Sequence, residues 1–475
     1  MPQETLAYIF HQRTPSESRI TMTIDVRQEL QKLISFDTVS DAKAGKHPSQ
    51  ECPRHINAKL EQFGFITDLL ESDGIWTSFA RRGQGRFKVL FLAHYDVVPI
   101  GEGWKSDPFK LVEEGDKATG RGSCDDKGNI VSLMSLAEKL STIDPPFTVM
   151  LAVTGDEEIG GEKGAGHLKQ FLMKQGLFPN YVVVADGINQ MVIHRRRNVL
   201  PTNIKVKRAA SKVKGRRETV RFVTETLGTE TRHSAYFRPG VDRHAMLAAS
   251  KYLSMHQHAL VSGLRGGFVK SNVIPQWVEL DVVHTDEPGE EVECDRSLTS
   301  LLRSLLTLAH ASFPTKHSDL GTFVSPNLLS LDSNLWTLYC DVRAMTDDRD
   351  AVRSAFETAL RDKVELYSLQ VEPGSGYVDS KVDSRLIRSA IWALRKEGID
   401  YLVGEGYGAS DSRYFTDPAV QVFDFGPRGD NVHGPNEWVS LTSIEQNAAF
   451  FRTLLDVLSS EGPPSGSPSR GSSRP

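Results

Sequence analysis

No apolar run of about 20 residues, the length a membrane-crossing helix requires, occurs anywhere in the 475-residue chain. Its four cysteines, Cys52, Cys124, Cys294 and Cys340, are widely scattered and form no Cys-x-x-Cys pair. That spacing supplies neither a disulfide framework nor a cysteine zinc site, so a metal would have to rest on His and carboxylates. The short apolar stretch at residues 6–10 follows Gln3 and Glu4, not a basic segment, so no secretory signal is expected and the reading is a cytoplasmic protein. What is present is ordinary for a globular protein: 39% hydrophobic and 25% charged residues. At roughly 100–200 residues per domain the length suggests two to four domains.

The net charge of −5 is unevenly spread. Ten Lys or Arg and no acid lie between Arg195 and Arg217; setting them aside leaves 46 basic against 61 acidic residues, a balance of −15. Basic patches bind phosphate backbones, but this one carries no aromatic residues for base stacking, and a solvated strand pair is the other reading. No nucleic-acid partner is expected. An attraction for anionic substrates is the third use such a run could have.

Helical spacing and short apolar runs alternate along most of the chain. Helices are expected from Val26, from about Gln50 to Gln62 with Gly64 as its C-cap, and over Lys127–Leu140. Buried strands are expected at Lys88–Ala93, Phe147–Val153 and Tyr181–Ala185. From about Leu200 to Pro373 longer polar strands alternate with helices, including Asp242–Leu253 and Asp348–Leu360. Short apolar strands and helices then resume with a helix Arg385–Lys396, a strand Ala419–Phe425 and a last helix opened by a Thr442-x-x-Glu445 capping box. The expected architecture is α/β: a mostly parallel sheet flanked by helices, interrupted by an inserted α+β lid domain. The boundaries are 22–199 and 374–461 for the two parts of the catalytic domain and 200–373 for the insert. Residues 1–21 read as an extension, with Met22 as an alternative start, and residues 462–475, all Gly, Pro, Ser or Arg, read as a disordered tail.

The chemistry-bearing residues fall at the C-terminal ends of the expected strands, where open α/β sheets build their sites. His94-Tyr95-Asp96 puts an imidazole and a carboxylate on one face of a strand end, a pattern that also fits an exposed strand end. Gly120 to Gly128 is a glycine-rich turn opening a helix, in which Asp125 or Asp126 equally suits a helix cap. Asp156-Glu157-Glu158 stacks three acids after an apolar strand, an arrangement that favours a cation unless the loop is solvated. Asp186 and His433 end or follow two further strands. Each alone is an ordinary loop residue. Together His94, Asp125, Glu158, Asp186 and His433 suffice for two zinc ions that share one carboxylate and keep open positions for water. Two such ions can clamp an attacking water and a polarised carbonyl.

With those motifs in this order, the chain from about Val26 to Leu458 resembles the M20 family of metallopeptidases and amidohydrolases. The family's His-x-Asp is matched by His94-Tyr95-Asp96, its Gly-Arg-Gly-x-x-Asp by Gly120 to Asp125, and its Glu-Glu by Glu157-Glu158. The resemblance implies that Asp125 bridges two Zn²⁺ (Co²⁺ or Mn²⁺ as substitutes). His94 and Asp186 would complete one site, and Glu158 and His433 the other. It further implies Glu157 as general base and Asp96 as orienter of His94. His233, in the insert, would reach a neighbouring subunit's site in a homodimer and donate to the developing oxyanion. Arg413 would hold a substrate carboxylate, and either Asn272 or Asn327 would line the site. Two readings of the substrate stay open. Asp126 in the Asp-Asp-Lys-Gly turn resembles the dipeptidase branch, whereas the Arg196-Arg197 neighbourhood resembles the deacetylases and desuccinylases. The implied activity is cleavage of the amide bond of an N-acyl amino acid, with a dipeptidase or carboxypeptidase as the alternative. A binding protein of the same fold would have lost a ligand or the base, and none is lost.

Overall fold

Val89 to Ala93 is apolar at every position because both faces of its strand are covered. In the computed structural model Val89, Phe91 and Ala93 point into one core layer and Leu90 and Leu92 into the other, as a two-residue period requires. The first layer holds helices Val26–Ile34, Glu51–Gln62, Gly128–Leu140, Arg385–Lys396 and Leu441–Ser459. The second holds helix His167–Lys174. The structure describes residues 23–460 apart from 42–43, 86, 228–232, 318–320, 375 and 407. The expected extension, Met22 and the expected tail lie outside the described residues.

The strand Lys88–His94 lies in a nine-stranded sheet. It pairs in parallel with Thr148–Thr154 and Tyr181–Val184, and Tyr181–Val184 pairs in parallel with Gln421–Asp424. Antiparallel strands flank this parallel centre, Ile75–Arg82 on one side and Met191–Arg196 on the other. Parallel neighbours place their C-terminal ends on one edge, so the turns after residues 94, 154 and 184 meet there.

A second core is built from residues between Leu200 and Val371. It joins a five-stranded and a four-stranded sheet to helices Ala245–Met255, Arg296–Ala309 and Arg349–Leu360. Its strand Thr202–Lys207 alternates buried Thr202, Ile204 and Val206 with half-buried Asn203 and Lys205, the pattern of a sheet with one covered face.

Several element starts shift by one to three residues, and two helix starts show why. The last helix is capped by Ser440, whose hydroxyl accepts from the Ser443 amide; Thr442 is already inside the helix. The Thr442-x-x-Glu445 box is displaced because Ser440 follows directly on strand Trp438–Ser440, which turns the chain two residues sooner. The helix expected from Asp242 starts at Ala245 with His244 as cap. Asp242 instead accepts from the Leu227 and Arg238 amides and closes the preceding turn.

The basic run also reads differently in three dimensions. It spans the junction and the strands Thr202–Lys207 and Ala210–Val223. Arg195 pairs with Glu405, Arg196 with Asp424, Arg208 with Glu293, Lys212 with Glu291 and Arg216 with Glu287. Acids remote in sequence thus pair five of its ten cations, and one of these, Arg196, is buried and lines the cavity described below.

Candidate metal centre and active site

Four turns at the edge of the central sheet bring the expected residues together. His94 ends its strand, and its Nδ1 lies 3.0 Å from the Asp96 carbonyl oxygen. That bond keeps a proton on Nδ1 and turns Nε2 toward the carboxylates, to which the charged ring donates and a neutral ring would present a metal-binding lone pair. Nε2 is 2.9 Å from Asp125 Oδ1 and 4.0 Å from Asp186 Oδ1. His433 Nε2 is 3.0 Å from Asp125 Oδ2 and 3.1 Å from Glu158 Oε1. Two groups of three ligands, His94–Asp125–Asp186 and Asp125–Glu158–His433, therefore share Asp125, one carboxylate oxygen facing each.

The donor chemistry fits divalent cations. Three carboxylates and two imidazole nitrogens converge, and Glu158 Oε1 is buried without accepting any hydrogen bond, a cost that a metal would remove. Burial favours the neutral form of Asp125, yet hydrogen bonds with His433 and His94 hold it far below the usual carboxylate range. Burial and the neighbouring Glu157 and Asp125 raise Asp186 despite the opposing pull of His94. His94 and His433 are both pushed up by the carboxylates around them, against the effect of burial.

Asp96 does more than sit beside His94. Its Oδ1 is 3.4 Å from Nδ1, but its hydrogen bonds run elsewhere, from the Glu157 and Glu158 amides at 3.1 and 3.2 Å and from the Ser40 hydroxyl at 2.8 Å. The carbonyl of Asp96 orients the ring, and its carboxylate fixes the acidic turn.

Glu157 lies beside Arg413, whose Nη2 is 3.9 Å from its Oε1 and 3.8 Å from Asp411 Oδ1. Burial raises the Glu157 carboxyl to about 7; Arg413 and His94 oppose that rise, and Glu158 and Asp125 add to it. Arg413 Nε and Nη2 are buried and donate no hydrogen bond.

These groups open into a cavity of about 790 Å³ whose lining includes Asp125, Glu157, Glu158, Asp186, His433 and Arg413. The insert covers it with His233, Asn272 and Arg343. His233 Nδ1 accepts from the Ala235 amide at 3.1 Å, so the neutral ring carries its proton on Nε2, which lies 3.1 Å from the Asn272 side-chain amide and donates to its oxygen once that otherwise unpaired amide is turned over. Burial, Arg343 and His433 keep the ring neutral by lowering its pKa well below the usual value. The His233 and His433 rings stand 5.9 Å apart in the same chain. Within the chain His233 lines the same cavity as the candidate ligands. Asn272 lines the cavity, whereas Asn327 is fully buried and donates to the Ser271 carbonyl.

Asp126 is fully buried, accepting from the His94 amide at 3.0 Å and the Asn129 side chain. It braces His94 from behind and is not among the residues lining the cavity. Sequence reasoning passed over Asp424 and Glu437. Buried Asp424 pairs with Arg196, whose Nη2 reaches the Asp186 carbonyl at 3.2 Å. Glu437 accepts from the amides of the turn that carries Asp125. A charged residue closing an apolar strand was the available signal for Asp424; Glu437 had none beyond its closeness to His433.

Comparison with known proteins decides the family, because a model described as Peptidase family M20/M25/M40 matches residues 90–457. The chain belongs to peptidase family M20. A succinyl-diaminopimelate desuccinylase of Rhizorhabdus wittichii is 34% identical over 218 residues, which are 45% of this chain; the chain spans 52% of that relative's length. One of Nitratiruptor sp. is 23% identical over 91% of this chain and 99% of its own. Among solved structures, an aminoacylhistidine dipeptidase of Vibrio alginolyticus shares the fold, with a TM-score of 0.62, 15% identity and coverage of 91% of this chain and 96% of that one. Among the described residues the chain carries carboxylate and His groups able to hold a metal ion. Among the described residues no helix is long and apolar enough to cross a membrane.

Proposed function

We propose that this M20 hydrolase is a di-zinc amidohydrolase that removes the acyl group from N-acyl amino acids. The observation that carries the reading is the pair of three-ligand groups sharing Asp125. His94, Asp125 and Asp186 would hold one ion, and Asp125, Glu158 and His433 the other. Zinc suits this imidazole and carboxylate set, with Co²⁺ or Mn²⁺ as substitutes. The bound metal supplies Lewis acidity and a water whose pKa falls to about 7.

The chain's own residues do the rest. Glu157 takes the proton of the attacking water on its carboxylate and passes it to the leaving nitrogen. Asp96 keeps Glu157 and Glu158 apart in role by holding both of their amides. His233 donates from Nε2 to the developing oxyanion, with Asn272 beside it, and does so within one chain. Arg413 Nε and Nη2, which donate no hydrogen bond within the chain, suit a substrate carboxylate.

Similarity to desuccinylases favours an N-acyl substrate over a dipeptide. The test is to strip the protein with a chelator, reload it with Zn²⁺, and assay N-acetylornithine, N-succinyl-diaminopimelate and a dipeptide panel. Activity should vanish on stripping and return at two equivalents of metal, with N-acyl substrates turned over fastest. Full activity after exhaustive metal removal would overturn the metal reading; preference for dipeptides would overturn only the substrate.

A further inference from the structure

Glu437 belongs to neither ligand group and does not line the cavity, yet it is fully buried. A buried carboxylate is costly unless its oxygens are satisfied, and here both are. Oε1 accepts from the Cys124 and Asp125 amides, each at 2.9 Å. Oε2 accepts from the Gly122 amide at 3.0 Å and from Arg121 Nη1 at 2.7 Å. The Glu437 backbone carbonyl accepts the Gly120 amide at 2.9 Å. The turn from Gly120 to Asp125 thus forms an anion-binding nest closed around one side chain. Gly122 permits it with φ +79°, and a Cβ there would come within 2.7 Å of Val97.

Arg121 extends the link to the other loop. Its Nη2 donates to the His433 carbonyl at 3.3 Å. One buried ion pair therefore fastens both the turn that carries Asp125 and the segment that carries His433. These two residues come from distant parts of the chain, and their separation defines the ligand group they share.

We propose that Glu437, together with Arg121, is a positioning residue that sets the spacing of Asp125 and His433 and thereby the metal affinity of the shared centre. The proposal rests on the metal reading given above. Partners one step behind metal ligands commonly hold about 10–100-fold of affinity. Asp125 serves both ligand groups, so both ions should be weakened when the nest loses its anion.

The experiment compares wild type with Glu437→Gln, Arg121→Lys and Glu29→Gln in the full chain. Glu29 is a buried carboxylate paired with His55 and Lys59 outside the site, and it controls for lost stability alone. Each protein is stripped of metal, and three quantities are read: zinc affinity by competition with a chromophoric chelator, the visible spectrum with Co²⁺, and hydrogen exchange of the 120–126 amides without metal. Glu437→Gln and Arg121→Lys are expected to lose at least about tenfold in zinc affinity, to alter the Co²⁺ spectrum and to speed exchange in the turn. Glu29→Gln should lower the Tm and leave all three unchanged. If Glu437→Gln does not fold, Arg121→Lys decides on the same readings. Wild-type affinity and spectrum in the variants, with only the Tm lowered, would overturn this proposal alone. A wild-type protein that takes up no zinc would overturn the metal reading and this proposal with it.

Discussion

Glu157 and Glu158 follow one another in the chain, and the single turn Glu157–Ile159 sends their carboxylates to different neighbours. Glu158 reaches His433 at 3.1 Å, while Glu157 turns to Arg413. Glu157→Gln should therefore bind both metals as wild type does and lose roughly 10²–10⁴-fold in kcat. Metal content measured beside single-turnover kinetics checks this, and near-normal turnover would place the base elsewhere. At this scale the residues of the two candidate ligand groups were legible because strand ends display their residues in sequence: His94 closes one apolar run, and Glu158 and Asp186 follow two others. Glu437 was not legible. Its partners are backbone amides of residues 122, 124 and 125, and a backbone amide leaves no mark on the sequence.

Elements were legible where periodicity alone sets them and shifted where a neighbour intervened. Helix Arg385–Lys396 has the bounds its spacing predicts. The last helix begins at Leu441 because Ser440 caps it. Ser440→Ala should cost about 1 kcal/mol and Thr442→Ala less than about 0.5 kcal/mol, measured by urea denaturation. His244, the cap of helix Ala245–Met255, gives a pH dependence. Burial lowers its pKa from 6.5 to about 3. Between those values the unfolded chain holds one proton more than the folded one, so acid favours unfolding. The contribution is complete above pH 6.5 and falls by up to about 1.4 kcal/mol per pH unit as pH drops toward 3. His244→Asn keeps a capping acceptor and should flatten the stability profile between pH 6.5 and 5 by close to that slope. An unchanged slope would show that His244 is already protonated in the folded protein.

At the scale of the molecule the insert brings His233 over the cavity. His233 lies over His433 of its own chain, so His233→Ala should lower kcat strongly while metal content stays constant. Mixing His233→Ala with Glu157→Gln should restore no activity, and any regain would show that the imidazole crosses between subunits. The sequence alone determined the alternation of strands and helices and the interrupting polar segment. It also determined which His, Asp and Glu side chains stand at strand ends. These follow from local rules, since period, turn residues and charge after an apolar run are all readable within about ten residues. The tertiary structure alone decided what depends on distant partners. It joined His433 to Asp125, and it gave the basic run its counter-ions. It also chose Asn272 over Asn327, placed His233 beside His433 and wrapped the Asp125 turn around Glu437. Each of these is set by how two remote segments pack, and packing distance is a property that no local pattern of residues contains.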